Sequence, residues 1–64
     1  MTRSERRAIM KEALRISFDT QQLTYALITD AEYRITQDEQ EAVELVHSKG
    51  FRVYAKCDCG YLVL

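Results

Sequence analysis

The chain has no proline and no tryptophan, and only two glycines, Gly50 and Gly60. With no proline, no repeat and no low-complexity stretch, nothing marks a linker, so residues 1–64 are expected to form a single domain. Two glycines cannot build a glycine-rich phosphate loop. One histidine, His47, leaves one side chain whose ordinary pKa lies near neutrality. No apolar run approaches the length of a bilayer span, and residues 1–7 are followed by no apolar signal segment. The expectation is a soluble, cytoplasmic chain with no membrane partner. A formal net charge of −1 excludes a globally cationic nucleic-acid binder.

What is present is ordinary in amount: 47% hydrophobic and 30% charged residues, which argues against disorder. At 7.5 kDa, size scaling gives a folded surface of roughly 4,200 Å², with about 60% of the unfolded surface buried. That is a marginal core with no room for a large internal cavity.

The charge is unevenly laid out. Residues 1–18 hold five cations against two acids, a net of +3, and residues 19–48 hold one cation against seven acids, a net of −6. Residues 49–64 return to +2. Such segregation is a partner signal even when the total is near zero, although oppositely charged segments can also simply neighbour each other in a fold.

Good helix formers predict a helix over residues 3–17, capped by Thr2 or Ser4. Ile9, Ala13 and Ile16 share one side, continued by Met10, Leu14 and Phe18. Arg3, Arg7, Lys11 and Arg15 recur every fourth residue as a basic stripe. A second helix is predicted over residues 37–49. Thr36 and Glu39 have capping-box spacing, Gly50 stops the helix, Ala42, Val43, Leu45 and Val46 face a core, and Glu41 and Glu44 face outward. Alternation over residues 51–56, turn chemistry over 57–60 and an apolar run over 61–64 predict a terminal hairpin.

Residues 19–36 carry two signals. Leu23, Leu27, Ala31 and Ile35 have helical spacing, but residues 24–29 and 33–36 are rich in β-branched and aromatic side chains. Two strands are the preferred reading. The fold class is then α+β, in the order α-β-β-α-β-β, with a small, mainly antiparallel sheet and two helices. The alternative is three helices plus a C-terminal β-hairpin, which resembles a winged helix-turn-helix domain in element order alone. That resemblance implies nucleic-acid binding, with residues 37–49 as the recognition helix, yet Asp38, Glu41 and Glu44 there would repel phosphate.

Catalysis is poorly provisioned. A nucleophilic site needs Cys57 or Cys59 brought to His47 with an orienting acid such as Glu44, inside a cleft that excludes water. Cys57-x-Cys59 on an extended strand would aim two thiols the same way, a half-site for a soft metal ion that a second copy could complete. A small buried hydrophobe is the commoner role for a free cysteine, so no metal or cofactor is expected.

The expectation is a small non-enzymatic protein-interaction or regulatory module. It would bind a protein partner, or itself as a homodimer, through Arg3, Arg7, Lys11 and Arg15 on one helix and Asp38, Glu41 and Glu44 on the other. Tyr25, Tyr33, Tyr54 and Tyr61 are further anchors where exposed. Compact, cofactor-free chains of this kind are similar to small regulators and inhibitors from phages or mobile elements, by analogy only. Nucleic-acid binding by the basic first helix is the second expectation.

Overall fold

The computed structural model describes residues 1–63. Helix α1 (Arg3–Thr20) is capped by Thr2, one of the two caps the sequence offered. The Thr2 hydroxyl accepts from the Glu5 N–H at 3.2 Å, and Glu5 Oε1 accepts from the Thr2 N–H at 2.9 Å. This reciprocal box satisfies two of the backbone donors that a helix start leaves free. The helix runs three residues past its predicted end, to Thr20, and stops where Gln21 turns left-handed at φ 57°.

Those bonds to Thr2 hold the Glu5 carboxyl below its ordinary value of 4.5. A carboxylate whose pKa is depressed in the folded state stabilises at neutral pH, and that contribution is lost as pH falls through the folded value. The amide shifts of Thr2 and Glu5 should therefore change together below pH 4.5. Glu5→Gln keeps the reach without the charge and should abolish that titration. An NMR midpoint for Glu5 at or above 4.5 would contradict the capping geometry.

Two antiparallel hairpins follow. Strand β1 (Thr24–Ile28) pairs with β2 (Tyr33–Thr36). The Thr29 hydroxyl closes the connection by accepting from the Ala31 and Glu32 N–H groups at 3.2 and 3.0 Å. Residues 24–36 are thus the two strands preferred above, and the winged-helix alternative lacks its middle helix. The helical spacing there misleads because Ala31 is exposed in the turn.

Helix α2 (Glu39–Lys49) begins two residues later than predicted. Its cap is Asp38, not Thr36: Asp38 Oδ1 accepts from the Gln40 and Glu41 N–H groups at 2.9 and 3.4 Å. Thr36 is unavailable as a cap because it is still in the sheet, paired with Tyr25. Its hydroxyl accepts from the Asp38 N–H and donates to Glu41 Oε2. Gly50, at φ 73°, ends α2 as expected, with its N–H donating to the Leu45 carbonyl.

Strand β3 (Arg52–Asp58) pairs with β1, and the two-residue β4 (Tyr61–Leu62) pairs with β3. The sheet order is β2-β1-β3-β4, antiparallel throughout. Opposite Ala26 and Leu27 the register slips by one residue, which leaves Tyr54 as a bulge.

The two helices lie on opposite faces of this sheet. Successive strand residues point to opposite sides, and the adjacent Ala26 and Leu27 are both fully buried. Ala26, Ala55 and Cys57 pack with Ile9 and Ala13 of α1, while Leu27 and Phe51 pack with Ala42 and Leu45 of α2. Tyr54 also packs on the α1 side, next to Ala55, because the bulge breaks the alternation. Three alanines of the α1 layer, Ala13, Ala26 and Ala55, have no exposed surface, so helix and sheet meet over small side chains. Near its end α1 is tied to the last hairpin by buried Ser17, whose Oγ accepts from the Gly60 N–H at 2.9 Å and donates to the Leu14 carbonyl at 2.8 Å.

Candidate functional site

The α2 layer covers its side of the sheet incompletely. Helix α2 packs over β1, β2 and β3, whereas α1 on the other side also reaches β4. Only Ala42 and Leu45 of α2 are buried. Val43 and Val46, expected to face a core, are 50% and 36% exposed. The sheet side chain in front of them, Val53, is 46% exposed. Cross-strand register places Tyr61 beside Asp58 on this same face, and the Val63 N–H bonds the Lys56 carbonyl at 2.7 Å. The total accessible surface of 4569 Å² exceeds the value expected from size, and these apolar side chains contribute to the surplus.

Together they form an open groove of about 360 Å³ between α2 and β3, with Val43, Val46 and Val53 along it and Tyr25 within it. Glu39, His47 and Lys56 complete its lining. Glu39, Val43 and His47 are spaced by four and so form one ridge of α2, with Glu44 beside it. The sequence pattern placed Val43 and Val46 in the core because periodicity marks an apolar side of a helix, not how far the opposing sheet extends. Glu39, His47, Val53 and Lys56 were likewise outside the expected binding set. The signal for them was the brevity of the final strand, which cannot roof a face.

The expected binding residues fall into two groups, one on each side of the sheet. Arg3, Arg7 and Lys11 are exposed on α1. Arg15 is partly neutralised within its own helix, 3.7 Å from Glu12 and 3.2 Å from Asp19. On the other side, Asp38 is engaged in capping and Glu41 accepts the Thr36 hydroxyl, while Glu44 stands at the groove. Among the described residues the ion pair that joins the two segments is Arg15–Asp19, at their boundary within α1. The sheet stands between Arg3, Arg7 and Lys11 on α1 and Asp38, Glu41 and Glu44 on α2.

The cysteines do not converge. Cys57 is fully buried in the α1-side core, and burial pushes its thiol pKa up. Cys59 sits in the β3–β4 turn with its Sγ donating to Asp58 Oδ1 at 3.4 Å, and that bond, with burial and the Asp58 charge, raises its pKa as well. A thiol held protonated is a weak nucleophile and a weak ligand. His47 lies on the α2 side, across the sheet from Cys57, so the cysteine–histidine pairing considered above is not assembled. Among the described residues no three His, Cys, Asp or Glu side chains are grouped to hold a metal ion.

Cys59 and Gly60 both have positive φ, 52° and 90°, which makes residues 58–61 a two-residue hairpin turn of the type that favours Asn-Gly. A cysteine in the left-handed region is strained where asparagine is tolerated. Cys59→Asn should raise the thermal midpoint, by up to about 1 kcal/mol of stability. A lowered midpoint would show that the Cys59–Asp58 contact outweighs the backbone strain.

Comparison with protein-family models, curated proteins and solved structures finds no match for this chain.

Proposed function

We propose that this domain is a non-enzymatic protein-interaction module whose α2 side receives a basic protein surface built around an apolar anchor. One observation carries the reading: Val43, Val46 and Val53 form an exposed groove on the acidic side of a molecule whose basic side is turned away from it. An apolar centre supplies binding energy, and the carboxylates of Glu39 and Glu44 beside it select and steer cationic partners. Regulation or inhibition by occupying a partner's surface is a role open to so small a domain.

The test compares three proteins in affinity capture from the native source: wild type, Val53→Asp, and the double variant Glu39→Lys with Glu44→Lys. Circular dichroism confirms that each is folded. A basic protein captured by wild type, lost with Val53→Asp and lost with the charge reversal supports the proposal. The same set of captured proteins in all three overturns it. If the captured species is a second copy of this chain, sedimentation will show a dimer and the groove is a self-contact.

Nucleic acid remains the second reading, favoured by exposed Arg3, Arg7 and Lys11 without acid partners among the described residues. It would use α1 alone, since an acid-faced α2 repels phosphate. Steeply salt-dependent binding to random duplex DNA, abolished by Arg7→Glu with Lys11→Glu, would place it first.

A further inference from the structure

A second cavity, of about 370 Å³, lies at the opposite end of the molecule's charge distribution. It is lined by Met1, Arg6, Ile28, Thr29, Asp30, Gly50 and Arg52, where the start of α1, the β1–β2 turn and the α2–β3 connection meet. The backbone explains the meeting. Arg52 pairs with Ile28 across the sheet, so both side chains leave on the face that α1 covers. Arg6 comes down from the first turn of α1 to the same place and is half-buried there. Gly50 leaves open space, because a side chain there would meet nothing within 4 Å.

Most polar groups of this cavity are already committed. The Thr29 hydroxyl serves its own turn, and the Gly50 N–H bonds the Leu45 carbonyl. The two guanidinium groups differ. Among the described residues neither Arg6 nor Arg52 has a carboxylate within salt-bridge distance or a side-chain hydrogen bond, although Asp30 lines the same cavity. Arg6 is half-buried and Arg52 exposed, and idle guanidinium donors lining one cavity favour an anion that can use both.

From this geometry we infer that the Arg6–Arg52 cavity is a binding site for a phosphate monoester. Each guanidinium presents a planar fork that matches two oxygens. A carboxylate has two oxygens and satisfies one fork, whereas a tetrahedral phosphate offers enough for both and carries the charge to match two cations. Asp30 opposes the anion and moderates its affinity. The apolar floor at Ile28 accommodates whatever carries the phosphate. This site shares no lining residue with the α2 groove and stands or falls independently of it.

The test is an NMR titration of the ¹⁵N-labelled protein at constant ionic strength, using inorganic phosphate, adenosine 5′-monophosphate and a phosphoserine peptide, with chloride as the control. Saturable shifts at Arg6, Thr29, Gly50 and Arg52, with a dissociation constant below about 1 mM for at least one phosphate probe, are expected. Arg6→Gln and Arg52→Gln should each weaken binding about tenfold, as expected for the loss of one charged hydrogen-bonded fork. Asp30→Asn should tighten it, and Arg34→Gln, outside the cavity, should leave it unchanged. Tighter binding of the nucleotide assigns a small-molecule ligand, and tighter binding of the peptide assigns a phosphorylated protein. The inference is overturned if no probe saturates, if the shifts spread along α1, or if Arg34→Gln weakens binding as much as Arg52→Gln.

Discussion

Leu27→Ala is expected to lower the unfolding free energy by about 2–5 kcal/mol, read as a shift in the urea midpoint at unchanged slope. Leu27 is the largest side chain with no exposed surface, and it anchors the α2 layer with Ala42, Leu45 and Phe51. Truncating it removes both transfer energy and packing, because the strand beneath is held on both sides and cannot settle into the void. A 64-residue domain has roughly 3–10 kcal/mol to lose, so this loss is a large fraction of the whole. A midpoint near that of the wild type would mean that α2 collapses onto the sheet and fills the space.

Ala13→Leu should destabilise by about 1–3 kcal/mol through the opposite fault. Ala13 has no exposed surface and shares its cluster with Ala26 and Ala55, which are equally enclosed. Alanine and leucine are both strong helix formers, so the substitution barely alters α1 itself and isolates the close approach of helix to sheet. The companion variant Ala8→Leu, on the exposed side of α1, controls for any change in helix propensity. Equal stability of the two variants would show that the interface has slack.

The order of elements was legible because local signals agreed with the fold. β-Branched and aromatic residues over 24–36 outweighed a helical spacing, and Gly50 stopped α2 where its positive φ demanded. The errors arose where a tertiary commitment overrode a local pattern. Thr36 has capping-box spacing to Glu39, but its backbone belongs to β2, so Asp38 caps instead. Val43 and Val46 follow core periodicity, but the groove between α2 and β3 leaves them exposed. The arginine cavity was not foreseen, since Arg6 and Arg52 are 46 positions apart in the chain and meet only where α1 packs on the β1–β3 pair.

The Ser17–Gly60 bond spans 43 positions and joins an early helix to a late turn. During synthesis Ile9 and Ala13 leave the ribosome well before Ala55 and Cys57, so the greasy stripe of α1 emerges before the strand that completes its cover. Topologies of this kind close slowly, because the entropy of closing long loops is lost before the distant contacts repay it. The nascent helix therefore has a window of vulnerability to aggregation or chaperone capture that ends only when the last hairpin arrives.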